Sequence, residues 1–285
     1  MSLKHKIDFF AIVAVNMANP NGDPLNGNRP RTNYDGKGEI SDVCIKRKMR
    51  NRMQDMGQAI FVQSEDRCED AYKSLSERAA KSLDKIADMR EYARAACEKW
   101  LDVRTFGQVF AFKKGKKAEG DDGVSVGVRG PVSLHQAISV NPIDVESFKI
   151  TKSVNGDPAE GRSSDTMGDK HFVRFGVYEL KGSINVQLAD KTGFTDEDAA
   201  IVKECLRTLF VNDISAARPD GSMQVCKLFW WEHDCAIGQY PAAKVHGSVK
   251  VMLPDKAGAE VLQNIDAYIT RQELPGLRCE VLEGI

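Results

Sequence analysis

The stretch Lys6-Ile-Asp-Phe-Phe-Ala-Ile-Val-Ala-Val-Asn16 constrains the fold most. It is crowded with β-branched and aromatic side chains, lacks polar alternation, and is far shorter than the roughly 20 residues of a membrane span. Such a run predicts a central strand buried on both faces, so the rest of the chain must cover a sheet from two sides. Following Met1-Ser-Leu-Lys-His-Lys, it imitates a signal peptide. Asp8 interrupts it, however, and Asn16-Met-Ala-Asn-Pro offers no small-residue cleavage site. The expected location is cytoplasmic, with no membrane partner.

The pattern downstream alternates strand and helix signals. Asn19 to Arg31 is Asn, Gly and Pro punctuation and reads as a loop of tight turns. Ser41-Asp42 offers an N-cap for a helix to about Met56. A single helix is expected from about Asp66 to Leu101, with a stripe of Ala71, Leu75, Ala79, Leu83, Ile86, Ala93, Cys97 and Trp100. Lys113 to Gly123 lacks apolar residues and reads as an excursion. Val124 to Gly130 and Ile138 to Val154 read as extended, and Asn155 to Lys170 as a polar loop. Phe172 to Leu188 predicts two strands turning at Lys181-Gly182. Thr195 to Phe210 reads as a helix with Asp196, Glu197 and Asp198 at its positive end. Strands at Cys226–His233 and Val245–Leu253, a helix at Lys256–Thr270 and a strand at Leu277–Leu282 complete the order. The fold class expected is α+β with a mainly antiparallel sheet, which a ferredoxin-like core with insertions satisfies.

Composition narrows the chemistry. The 285 residues, 42% of them hydrophobic and 28% charged, suit one elaborated domain or two small ones. The seven cysteines (44, 68, 97, 205, 226, 235, 279) are scattered and never form C-x-x-C, which argues against a disulfide scaffold or a zinc ribbon. His233-Asp-Cys235, with Cys226 upstream, reads as packed core, and no metal is expected. A net charge of −1 does not announce a nucleic-acid binder, but its distribution is uneven. Residues 1–60 hold ten Lys/Arg against six Asp/Glu, a local +4, so the remainder is net acidic.

Two adjoining segments carry the candidate site. In Asn16-Met-Ala-Asn-Pro-Asn-Gly-Asp-Pro-Leu-Asn-Gly-Asn-Arg-Pro-Arg31, Gly22 and Gly27 permit unusual backbone angles. Asn21, Asn26 and Asn28 can hydrogen-bond sugar, phosphate or base edges, and Arg29 and Arg31 carry forked donors suited to phosphate. An ordinary polar turn has the same composition. No G-K-[ST] follows the glycines, and their spacing is not that of a dinucleotide fingerprint. On the next helix, Ile45, Met49, Met53 and Met56 form a buried stripe, and Lys46, Arg47 and Arg50 cluster on an arc of about 100° beside it. No acid is expected to relieve the repulsion between Lys46 and Arg50. A polyanion would relieve it, although a plain basic surface has the same pattern.

The second cluster, Lys113, Lys114, Lys116 and Lys117, sits beside Asp121 and Asp122 and reads as a mixed surface loop. In Phe229-Trp230-Trp231, strand alternation sends Trp230 to the face opposite its neighbours. No R-G-F-G-F-V signature for stacking bases on a sheet is present. His5, His135, His171, His233 and His246 are dispersed, without H-x-x-x-H, H-E-x-x-H or a G-x-S-x-G nucleophile. Loop acids Asp23, Asp35, Asp121, Asp122, Asp157 and Asp165 are ordinary turn formers. No catalytic residue and no cofactor is expected.

Five motifs recur together in one known family: Asn21–Arg31, Asp42–Asn51, Asp102-Val-Arg-Thr-Phe-Gly107, Arg129-Gly-Pro-Val132 and Thr166-Met-Gly-Asp-Lys-His-Phe-Val173. Over about residues 5–253 the chain resembles the CRISPR type I-C Cascade backbone subunit, the "Cas seven" family of the RAMP superfamily. The resemblance implies a modified ferredoxin-like or RRM palm (about 5–56 and 171–285), a helical finger (about 60–125) and a loop-rich thumb (about 126–170). It implies a non-catalytic subunit that polymerises along crRNA beside other Cascade subunits and further copies of itself in a helical filament. Target DNA is then read by guide pairing. Carried across, it nominates Asn21, Arg29, Arg31, Lys46, Arg47 and Arg50 as RNA contacts and Met167 as an apolar wedge at a kink. Related type III subunits cut target RNA with a loop aspartate, and Asp23 or Asp35 lies in that region here. The surrounding pattern is the type I one, so no cleavage is expected.

Overall fold

β1 (Ile7–Ala18) is the centre of the molecule, as its composition demands: every residue from Ile7 to Val15 is buried. The computed structural model describes residues 2–84, 86, 88–111, 125–151 and 167–285. Next in order are β2 (Gly22–Asp23), β3 (Arg29–Pro30), β4 (Lys37–Ile40), α1 (Asp42–Asp55), α2 (Leu75–Ser82), α3 (Met89–Lys99) and α4 (Leu101–Phe106). Then come β5 (Gly107–Ala111), β6 (Ser125–Arg129), β7 (Val132–Leu134), β8 (Ala137–Pro142), β9 (Val145–Thr151) and β10 (Met167–Ile184). The chain closes with α5 (Val186–Thr192), α6 (Asp196–Arg207), β11 (Met223–Glu232), α7 (Ala242–His246), β12 (Val249–Val251), β13 (Ile269–Arg271) and β14 (Arg278–Glu283).

The main sheet runs β14-β11-β1-β10-β8-β4, with β7 and β9 also on β10, and its described pairings are all antiparallel. Within it β1, α1, β8, β10, α6 and β11 form a β-α-β-β-α-β unit whose strands lie in the order fourth, first, third, second. That is a ferredoxin-like core. Phe9, Val13 and Val15 of β1 pack against Ile45, Met49 and Met53 of α1 and Val202, Cys205 and Leu206 of α6. Burying the three α1 side chains contributes at most about 6 kcal/mol.

The opposite sheet face is also closed. Phe10, Ile12, Phe229 and Trp231 lie under Val245, Val249, Val251, Leu274 and Leu277. Trp230 points to the helical face and stacks on Phe9 at 5.7 Å. Asp8 survives at the centre because His233 Nε2 (2.9 Å), Lys6 Nζ (2.6 Å) and Ser183 Oγ (2.5 Å) all bond its carboxylate. Burial alone would raise its pKa, and these bonds overcome that and hold it below the usual aspartate range.

Residues between α1 and β7 build a second core of Phe61, Tyr92, Trp100 and Phe110, with Phe61 4.7 Å from Trp100 and 5.1 Å from Phe110. Here the expected single helix from Asp66 is broken. Ser74 caps α2 and Asp88 caps α3, each side chain accepting from backbone N–H groups of the new first turn, and Ala71 is exposed. Three other expectations fail. Lys181-Gly182 is no turn: β10 runs straight through it, paired with Phe10 and Phe9 of β1, and glycine is needed there because a Cβ would lie 2.3 Å from Phe9 Cζ. The helix expected at Lys256–Thr270 is a 3-10 stretch, Ala259–Tyr268, kinked at Asn264 and followed by β13. The strand expected from Val245 starts only at Val249, after α7.

Candidate nucleic-acid interface

The Asn/Gly/Pro loop is ordered by its own side chains. Asp23 caps a 3-10 turn at Pro24–Asn26, accepting from the Leu25 amide at 3.2 Å, and Gly27 takes the left-handed angle (φ 57°) that ends it. Asn19 Nδ2 donates to the Asn28 carbonyl at 2.7 Å. Asn21 is a strut: its Oδ1 accepts from the Ser41 amide (2.9 Å) and its carbonyl from the Arg31 amide (3.1 Å). The loop is thereby fixed to the first turn of α1, where Ser41 is the N-cap. Leu25 stands almost fully exposed at the tip, at 98%.

Arg29 reaches outward to another segment. Its Nη1 donates to Ser147 Oγ of β9 at 2.7 Å, and His171 Nδ1 of β10 is 2.9 Å from the same hydroxyl. Ser147 and His171 face each other across the ladder, and β10 continues to Met167, whose side chain is 67% exposed. At about 3.3 Å per residue, Met167 lies roughly 13 Å along the strand from His171. Arg31 Nη2 is 3.4 Å from Asp23, half-exposed, while its buried Nε has no partner. Lys46 pairs with Asp42 at 3.0 Å on the first turn of α1.

Arg47 and Arg50 point elsewhere. Arg47 donates to the Val62 carbonyl at 2.8 Å, and burial followed by the charge of Arg50 pulls its pKa down. Arg50 Nε donates to Asp102 Oδ2 at 2.9 Å, with its guanidinium 5.1 Å from the Phe106 ring. Asp102 also accepts from the Phe61 (2.7 Å) and Val62 (3.1 Å) amides. The expectation that no acid relieves this face is therefore overturned: Asp42 serves Lys46, and Asp102, 52 residues away in sequence, serves Arg50. Both arginines clamp the inserted second core onto α1.

Residues 5–271 match the family model for CRISPR-associated protein Cas7. The chain belongs to the Cas7 family. A Haloferax volcanii relative, "CRISPR-associated protein Cas7", is 26% identical over 211 residues, which span 70% of this chain and 62% of the relative. The match thus covers less than two thirds of that relative's length. A chain of a solved "CRISPR RNA-guided surveillance complex, pre-nicking" superposes with TM-score 0.52 at 15% identity, over 92% of this chain and 87% of that one, which shows a shared fold. A chain of another "CRISPR RNA-guided surveillance complex" superposes at TM-score 0.49 and 18% identity, over 92% and 82%.

In this Cas7-family chain Asn21 ties the Arg31 backbone to the start of α1, Lys46 pairs with Asp42 on that helix, Arg29 joins the loop to β9, and Arg47 and Arg50 turn to the inserted core. Sequence reasoning missed Ser147 and His171. The two-residue alternation of Ser147-Phe-Lys-Ile-Thr151 marks an exposed strand and was the available signal. Also missed was Lys48, buried and paired with Asp213; burial lowers its pKa and the Asp213 charge opposes that. Asp23 is engaged with Leu25 and Arg31, and Asp35 sits on a turn built by Asn33 Oδ1. Among the described residues no three His, Cys, Asp or Glu side chains could hold a metal together. His233 donates to Asp8 and accepts from the Gln239 amide at 2.9 Å, so both ring nitrogens are engaged. No described helix is long and apolar enough to cross a membrane. The cluster Lys113–Lys117 and the loop acids Asp121, Asp122, Asp157 and Asp165 lie outside the described residues.

Proposed function

We propose that this chain is a non-catalytic, crRNA-binding backbone subunit of a type I-C CRISPR surveillance complex. One observation carries the reading: Arg29 and Arg31 stand on a loop that Asn21 ties to the start of α1, the helix that carries Lys46, and Arg29 is bonded to β9 beside the strand that begins at the exposed Met167. These cations suit phosphates, which fix position without reading sequence. The closed second face of the sheet buries Phe10, Phe229 and Trp231, where an RRM exposes its stacking aromatics. Contacts therefore fall on backbone, and base edges stay free to pair with target DNA.

The contact set is Arg29, Arg31, Lys46 and Met167; Asn21, Arg47 and Arg50 hold the frame that presents it. The ferredoxin-like core is the palm, the second core the finger and the β9–β10 hairpin the base of the thumb. Copies assemble head to tail along one RNA with other subunits of the complex, in an open filament. Neither Asp23 nor Asp35 is arranged for cleavage. The test uses Arg29→Glu with Lys46→Glu in the purified assembly. The expected result is loss of bound RNA and a shallower salt dependence of rebinding, with the fold intact by circular dichroism. Unchanged retention contradicts the site. Periodic cleavage of complementary RNA in Mg²⁺, abolished by Asp23→Ala or Asp35→Ala, contradicts the non-catalytic reading.

A further inference from the structure

Met17 is one of three non-glycine residues with a positive φ among the described residues, and it lies inside β1 (φ 53°). A long side chain in the left-handed region is strained, and it persists only where the surroundings over-determine it. Here they do. The Asn16 amide donates to the Ser222 carbonyl and the Asn19 amide to the Ala217 carbonyl, each at 2.8 Å, so the chain is anchored on either side of Met17.

The conformation has a measurable effect on which way the strands face. Val15 and Ala18, three residues apart, both enter the helical core, although alternation gives one face only to even separations. β10 does the same. Phe175 packs against the Phe10, Phe229 and Trp231 cluster on the opposite sheet face while Val173, two residues before it, lies in the helical core. The ladder pairs Asn16 with Phe175 and Ala18 with Val173, and skips Met17 and Arg174 between them. Both strands thus exchange faces at one point.

Everything in β10 before Arg174 inherits the exchange. His171 shares its face with Val173, and Ser147 opposite it turns toward the loop, where Arg29 bonds it. With unbroken alternation, Phe172 and Lys170 would face the loop instead, and Phe148 would replace Ser147. We infer that Met17 is a positioning residue: its left-handed backbone selects which face of the β9–β10 hairpin meets Arg29, and so whether hairpin and loop form one grip on the guide strand. The inference rests on the RNA-binding reading for its consequence but not for its geometry. The side chain of Met17, 40% exposed, takes no part in the argument.

A substitution series separates backbone from side chain. Glycine and asparagine tolerate the left-handed region, alanine less, and valine least. RNA affinity is expected to follow that order. Met17→Gly and Met17→Asn bind at least as well as the parent, Met17→Ala, with the same unbranched Cβ as methionine, binds like it, and Met17→Val loses at least about tenfold with a shallower salt slope. An order that follows side-chain size or apolarity, with Gly and Asn weakest, overturns the inference. So does full affinity in a folded Met17→Val. Should the valine variant not fold, the order among Gly, Asn and Ala still decides.

A second readout needs no RNA. In Arg29→Cys/Ser147→Cys, a short bis-maleimide is expected to link positions 29 and 147 in the Met17 and Met17→Gly backgrounds. Linkage is expected to persist in Met17→Ala and to drop at least fivefold in Met17→Val, with products mapped by peptide mass. Equal linkage in all backgrounds overturns the positioning role. Linkage that follows the series in a parent that binds no RNA leaves the geometry standing and contradicts the function.

Discussion

Arg50 and Arg29 carry the same charge on neighbouring segments, yet Arg50 is bonded to Asp102 beneath the Phe106 ring and Arg29 reaches a serine on an exposed hairpin. The difference lies in the partner's burial. Asp102 is almost wholly buried and serves two amides as well as Arg50, so removing it strands three donors. Asp102→Ala is expected to cost about 3 kcal/mol by urea denaturation, through loss of the clamp between the two cores. Asp8 makes a second residue-scale prediction. Its folded pKa lies below the unfolded value of about 3.9, so its ionised form adds stability above that pH, and the contribution is lost as pH falls through the lower folded value. The stability gap between the parent and Asp8→Asn is therefore expected to be full near neutral pH and to shrink below about pH 4. A gap independent of pH contradicts the assignment.

Among elements, β10 shows where pattern reading stops. β1, α1 and α6 follow from apolar runs, spacing and caps, all local properties. Lys181-Gly182 has the composition of a turn, and only Phe9, remote in sequence, requires glycine in mid-strand. Gly182→Ala is expected to destabilise by about 2 kcal/mol, because Phe9 Cζ and the Ser133 carbonyl both stand within 2.5 Å of the added carbon. A hairpin turn at that place would tolerate alanine; a loss under about 0.5 kcal/mol contradicts the continuous strand. The site was legible to a similar degree. Arg29, Arg31, Lys46 and Met167 lie in unusual local sequence, whereas the bond from Arg29 to Ser147 spans 118 residues and leaves no local trace. The pairing of Arg50 leaves no local trace for the same reason, since its acid comes from another element.

For the whole molecule, the sheet is closed on both faces, one by α1 and α6 and the other by the segment from α7 to Leu277. In the proposed reading the polyanion is held at the margin, where the loop, the start of α1 and the β9–β10 pair meet. A margin of this kind holds a strand's backbone and leaves its bases outward, which suits a repeating subunit better than a sequence-specific reader. Replacing Arg29 and Arg31 by Gln is expected to weaken binding about equally across RNA sequences and to reduce the salt slope by about 1 to 2, measured by filter binding. The central claim is that several copies share one RNA through this margin. Native mass spectrometry of the complex purified from its host tests it most directly. The expected spectrum shows several copies of the 31.5 kDa chain on a single RNA, with Arg29→Glu/Lys46→Glu giving RNA-free monomer. A parent protein that is monomeric and free of RNA contradicts it.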